Sequence, residues 1–254
     1  MNILKVTLKQ QRRMRNMNTI KNIMVLASVC MMLCAPAFAT PSTQIWNPST
    51  DIQALGTVHL GIDNYFTTAW LQDGGYAYPT DVNLTYGALP GLEIGVDSFM
   101  PSSAQLQFNA KYGVAENGII PAYAIGAQNF GFNVDADNKS SDWNILYAVA
   151  AKTFGFGRLT GGYYSGNDHV LLDNDGEKAA TGFIATWDKA ITDKVWLCLD
   201  YASGNSAYGS FFYGGAYTFA ANTSVIFGYG TFNRHANTGD GFDPVVTTQL
   251  DINI

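Results

Sequence analysis

Charge is scarce in this chain. Only 13% of its 254 residues are Asp, Glu, Lys or Arg, against about 25% in an ordinary soluble domain. Glutamate is scarcer still, with 3 residues against 17 aspartates. Long helices favour Ala, Leu, Glu and Lys, so this bias disfavours them. Long apolar runs are missing too. The longest, Ile23 to Cys34, is broken only by Ser28 and falls short of the roughly 20 residues a spanning helix needs. Cysteine occurs three times, at Cys30, Cys34 and Cys198. Glycine (26) and aromatic residues (15 Phe, 14 Tyr, 5 Trp) are plentiful. That mixture favours strands joined by turns.

The first 39 residues differ from the rest. They carry six basic side chains (Lys5, Lys9, Arg12, Arg13, Arg15, Lys21) and no acidic one. The apolar run follows, then Ala35-Pro36-Ala37-Phe38-Ala39, a small-x-small cleavage pattern. This order is that of a secretory signal, cut after Ala39. Translation from Met14 or Met17 would leave a leader of conventional length. Cys30 and Cys34 leave with it, so residues 40–254 hold only Cys198 and no internal disulfide. The mature chain has 8 basic and 20 acidic residues, a formal charge of −12. Nucleic acid requires a basic footprint and is excluded as a partner.

Beyond the leader, polar and apolar residues alternate with period two. Val82, Leu84 and Tyr86 oppose Asp81, Asn83 and Thr85. Leu92, Ile94 and Val96 oppose Glu93, Gly95 and Asp97. Leu106, Phe108, Ala110 and Tyr112 oppose Gln105, Gln107, Asn109 and Lys111. Such alternation makes strands with one apolar and one polar face. Twelve segments qualify, near 57–66, 80–88, 91–99, 104–113, 119–128, 143–152, 156–165, 179–188, 194–202, 208–219, 222–231 and 245–254. Pro121 removes a ladder donor, so the fifth is expected to be bulged or to start later. The even-numbered connections are short. Four of the six odd-numbered ones have 13 or 14 residues and are rich in Asp, Asn, Gly and Ser.

Short turns on one side and long loops on the other are the pattern of a transmembrane barrel. With its leader, its ten-residue alternating segments and its C-terminal strand Thr247 to Ile254, the chain resembles bacterial outer-membrane β-barrel proteins as a class. The resemblance covers about residues 57–254. It implies an all-β fold, a closed antiparallel up-and-down barrel of about 12 strands. It also implies a bacterial outer-membrane location and contact with outer-membrane lipids. The C-terminal strand would be read by the barrel-assembly machinery, although it ends in Ile254 rather than Phe and has no aromatic residue. Aromatics near segment ends (Tyr65, Phe66, Tyr112, Trp143, Trp187, Tyr201, Phe219, Phe232) suit interfacial girdles.

The polar face then lines the lumen. Its candidates are His59, Asp63, Asp81, Glu93, Asp97, Gln105, Gln107, Asn109, Lys111, Arg158 and Asp200, with Thr160. An acidic excess there favours cations. Residues 40–56 are read as a periplasmic lead-in, with insertion into the lumen as the alternative. A loop folded inward is expected to be 129–142 or 166–178. The acidic loop Asp173-Asn174-Asp175-Gly176-Glu177 lacks full calcium-loop spacing and reads as a solvated turn, as do Asp135 to Asn138 and Asp240 to Asp243.

No cofactor is expected, and no enzyme. His169 and His235 fall in loops. His59 shares a face with Asp63 at roughly 13 Å, too far for a hydrogen-bonded dyad. The leading functional expectation is a narrow porin-like channel for small polar solutes. A non-conducting structural or adhesive barrel is the alternative, and a soluble periplasmic ligand-binding barrel the third.

Overall fold

The computed structural model describes residues 42–68, 80–99, 106–131, 143–234 and 243–254. The leader, Gln105, His235, the loop acids Asp135 to Asn138, the stretch Asp240 to Phe242 and most of the 129–142 loop lie outside these residues.

Among the described residues are twelve strands: β1 (Val58–Thr67), β2 (Thr80–Leu89), β3 (Leu92–Phe99), β4 (Gln107–Val114), β5 (Ala122–Phe130), β6 (Ile145–Phe154), β7 (Gly157–Ser165), β8 (Thr181–Ala190), β9 (Val195–Ala202), β10 (Ser210–Ala220), β11 (Thr223–Phe232) and β12 (Val245–Asn253). Each pairs antiparallel with its sequence neighbours, and β12 returns to β1 to close the ring. His59 lies opposite Asn253 and Thr67 opposite Val245 in that closing ladder. A closed ladder leaves no free edge, so every strand meets the demand of hydrocarbon for internally paired backbone.

The segments follow the alternation in the sequence to within three residues at each boundary. The fifth starts at Ala122, immediately after Pro121, because proline has no N–H for the ladder. The β4–β5 register slips between Phe108 and Ala110. Next to this bulge Asn129 adopts a φ of 54°, its backbone N–H donating to Asn109 Oδ1 at 2.8 Å. Asparagine tolerates that left-handed conformation better than most residues.

The two faces of the wall are sorted by chemistry. Leu84, Ile94, Leu146, Phe183, Leu199 and Phe227 all point outward and are exposed. A contiguous exposed apolar wall is the signature of a surface that meets lipid. Phe66, Tyr112, Tyr201 and Phe219 are exposed, as a girdle requires. The girdle expectation fails for Tyr65 and Phe232, which are buried inside, and for Trp143, which packs against the inner cluster. Tyr65 has the parity of His59 and Asp63, so the alternation itself assigns it inward.

Residues 42–56 also depart from expectation. They are not a lead-in below the barrel: residues 42–53 lie inside it, and Ala54 to Gly56 are exposed at its end. Residues 42–49 form a hairpin: Thr43 bridges Pro48, Ser49 N donates to Ser42 O at 3.1 Å, and Gln44 N donates to Asn47 O at 2.7 Å. The chain then descends to the end bearing the short turns. There Leu55 pairs with Gly87 in a parallel bridge, and Gly56 N donates to Gly87 O at 2.8 Å. A Cβ on Gly87 would lie 2.0 Å from Ala54 O; only glycine leaves room for this crossing. The physical reason for insertion is donor and acceptor supply: the hairpin satisfies interior charges that would otherwise be buried without partners.

Candidate functional site: a lumen filled by the chain's own N-terminal hairpin

β9 places Asp200 on the inner face by simple alternation, between outward Leu199 and Tyr201. It is fully buried. Its Oδ2 accepts three successive backbone N–H groups of the hairpin, from Ile45 (3.1 Å), Trp46 (2.8 Å) and Asn47 (3.0 Å). Its Oδ1 accepts the Asn47 side-chain amide at 2.6 Å. Convergent backbone N–H groups around one anion form a nest. Every described hydrogen bond to this carboxylate comes from the hairpin and none from the wall.

Above this grip sits an aromatic box near the long-loop end. The Trp46 ring stacks on Phe212 at 5.3 Å and meets Tyr65 and Phe232 edge-on at 5.5 and 5.6 Å. Trp143 and Tyr208 close the box at 6.1 and 6.3 Å. Each such pair adds about 0.5–1.5 kcal/mol beyond area burial. The Trp46 indole N–H donates to Tyr208 O at 3.1 Å. Tyr208 belongs to the 203–209 connection, which folds inward; Ser206 and Ala207 are buried with it. Burial, with Asp200 next in effect, pushes the Tyr208 phenol well above its ordinary range, so it stays neutral. The 166–178 connection contributes as well, because Leu171 is fully buried beside Ile145 and Tyr164. In its outer part, Asp173 Oδ1 accepts the backbone N–H groups of Asp175 and Glu177, a local turn.

Below the grip are charged clamps near the short-turn end. Arg158 on β7 binds Asp51 of the inserted segment at 2.7 Å and Asp188 of β8 at 2.9 Å. Asp188 also accepts from the Gln44 side chain at 3.3 Å and the Trp196 indole at 3.2 Å. Lys111 on β4 pairs with Glu93 of β3 at 3.2 Å and donates to Ser42 O at 2.9 Å. Glu93 in turn accepts the Gln53 backbone N–H at 2.6 Å. Gln249 on β12 donates to Ile45 O at 2.8 Å.

The remaining candidates sit on other arcs. Asp63 and Asp81 are directly opposed across β1 and β2, and Asp97 faces Asn83 across β2 and β3. Their described side-chain partners are Asn83 and Asn109. Oδ1 of Asp63 and Oδ1 of Asp81 have no partner among the described residues. Gln107 accepts from Asn129 at 2.9 Å, so it and Asn109 both serve the β4–β5 bulge. Thr160 is buried inside β7.

His59 meets two partners that sequence spacing does not reveal: Asp251 at 3.5 Å and Asn253 at 3.2 Å, both on β12. Ser224 donates to Asp251 at 3.4 Å, not to the imidazole. A nucleophile bonded directly to its base, as hydroxyl activation requires, is not formed by this group. Among the described residues no three His, Cys, Asp or Glu side chains are arranged to hold a metal ion. Cys198 is a buried wall residue whose thiol points at the Gln44 side-chain oxygen, 3.8 Å away.

The apolar outside, the closed twelve-stranded ladder and a lumen that holds both polar groups and two apolar clusters define an outer-membrane β-barrel. No family model and no curated protein matches the chain. Among solved structures it is similar to the KdgM porin, with 7% identity, a TM-score of 0.47, and coverage of 78% of this chain and 97% of that one. The NanC porin gives 9% identity, a TM-score of 0.43, and coverage of 77% and 98%. The COG4313 outer membrane channel from Pseudomonas putida F1 gives 10%, 0.41, 79% and 96%. The class is defined by this chain's own ladder and apolar wall, independently of these likenesses.

Proposed function

We propose that this barrel is a narrow porin-like channel for passive diffusion of small polar solutes across a bacterial outer membrane, closed at rest by residues 42–56. The observation that carries this reading is the chemistry of the closure. The inserted segment is held to the lower lumen by Arg158, Lys111 and Glu93 and to its middle by Asp200. All of these are polar contacts that water can replace.

Once the segment moves, the exposed lining is acidic in excess, which favours cations over anions. Removal of a secretory leader after Ala39 and reading of β12 by the barrel-assembly machinery are parts of the same proposal. The second reading, a non-conducting structural or adhesive barrel, draws support from the aromatic box that seals the outer mouth around Trp46. A soluble ligand-binding barrel is disfavoured by the exposed apolar wall.

Single-channel recording of the mature chain, refolded into planar bilayers, tests the proposal. Discrete cation-preferring openings separated by long closures are expected, with openings more frequent in Trp46→Gly. Correct insertion with silence in both proteins would overturn the channel and favour the structural barrel.

A further inference from the structure

We infer that the lumen contains a peptide-binding site, filled at rest by residues 44–47, whose ligand class is a short peptide bearing an indole. The inference rests on the reading that the hairpin is displaceable. Asp200 carries it. This carboxylate is fully buried, yet its four described partners all belong to the hairpin. A buried charge of this kind is strongly unfavourable without donors. The wall supplies none, so every described hydrogen bond of this carboxylate depends on what occupies the lumen.

Three of the four donors are backbone N–H groups. Any peptide in the same turn conformation presents them, whatever its side chains. Selection comes from the neighbouring box. Phe212, Tyr65 and Phe232 accept one flat ring, and the Tyr208 carbonyl accepts its N–H at 3.1 Å. A phenyl ring would fill the space and leave that carbonyl with only the Ser210 hydroxyl, at 3.2 Å, as a described donor; an indole adds a second. Gln249 adds a donor for a peptide carbonyl one residue before the ring. Arg158 receives a carboxylate five residues beyond it, as Asp51 does. The site thus reads a backbone turn, one indole and a distal acid.

The test uses the full chain with its own hairpin disabled and its wall intact. Ile45→Pro/Trp46→Gly removes one backbone donor and empties the box without touching a strand. Should this double variant fail to fold, Trp46→Gly alone serves. The probe is the capped octapeptide Gln-Ile-Trp-Asn-Pro-Ser-Thr-Asp, titrated calorimetrically into the variant in detergent. Saturable one-to-one binding is expected. It should weaken by at least about tenfold when the peptide's Trp is replaced by Ala, and likewise when Asp200→Asn is added to the receptor, since each tenfold step is one lost specific contact. Absence of saturable binding, or equal binding by the Trp and Ala peptides, would overturn the inference. Bilayer recording of the same sample separates the two proposals. Peptide binding by a silent barrel removes the channel and keeps the site. Openings that the peptide does not affect, with no calorimetric binding, remove the site and keep the channel.

Discussion

Interior aspartates occupy two arcs of one wall. On β8 and β9, Asp188 and Asp200 are saturated by hairpin groups, by Arg158 and by the Trp196 indole. On β1 to β3, Asp63, Asp81 and Asp97 face one another and two asparagines, and two of their oxygens lack partners among the described residues. Residue type and face are alike; the two arcs differ in height along the bore and in occupant. The hairpin lies against one arc as a ligand lies in a site. The other arc has no hairpin group among its described side-chain partners. The channel reading makes one side the grip and the other the wet side, and the two are separable by mutation.

The strongest way to break the contrast is Asp200→Ala. It strands three backbone N–H groups in the lumen, and breaking a buried charged contact of this kind costs about 3–5 kcal/mol. The expected outcome is a rise of at least about a hundredfold in open probability in bilayer recordings, with heat-modifiable gel mobility of the barrel retained. An unchanged open probability would mean that the two arcs are equivalent. Asp81→Asn probes the wet arc. Hairpin occupancy should not change, while the cation-to-anion permeability ratio, read from the reversal potential in a salt gradient, falls about twofold. A loosened hairpin here would erase the distinction.

The smallest effect belongs to an ion pair in water. Glu116, in the β4–β5 turn, meets Lys152 at 2.6 Å, and its hydrogen bonds to Lys152 and Thr153 hold its carboxyl below the ordinary 4.5. A depressed carboxylate adds stability above its unfolded value and loses it as pH falls through the folded one. Urea midpoints of the wild type and Glu116→Gln should therefore differ slightly at pH 7 and converge in acid below pH 4.5. A gap that persists in acid would show that the ionised pair is not its source.

The wall was legible because a strand's period is two and a barrel wall has only two environments. Even the delayed start of β5 follows from Pro121. The lumen was legible only by parity: Asp200 and Arg158 are assigned inward without any contact being known. Their partners were not legible. Ile45 lies 155 residues from Asp200 in the chain, and a hairpin of eight residues has too little periodicity to announce itself. Asp188 is absent from the lumen candidates because the run Gly182-Phe183-Ile184-Ala185-Thr186-Trp187 before it puts apolar residues on both faces and hides its inward parity. Asp251 shares the inward parity of Thr247 and Gln249, but its meeting with His59 depends on the closing register between the first and last strands. The aromatic box was misread because girdle and lumen draw on the same residues; only strict parity separates Tyr65 from Phe66.

Residues 54–57 join the hairpin to β1 through the crossing at Gly87. The stopper is therefore an intramolecular partner, and a short tether confers an effective concentration in the millimolar range. Dilution cannot empty the bore, and one molecule's closure is independent of its neighbours. Cutting the chain between Ala54 and Thr57 would turn a first-order closure into a bimolecular one. At the nanomolar amounts in which such barrels are recorded, that one lost peptide bond separates a bore that recloses from one that stays empty.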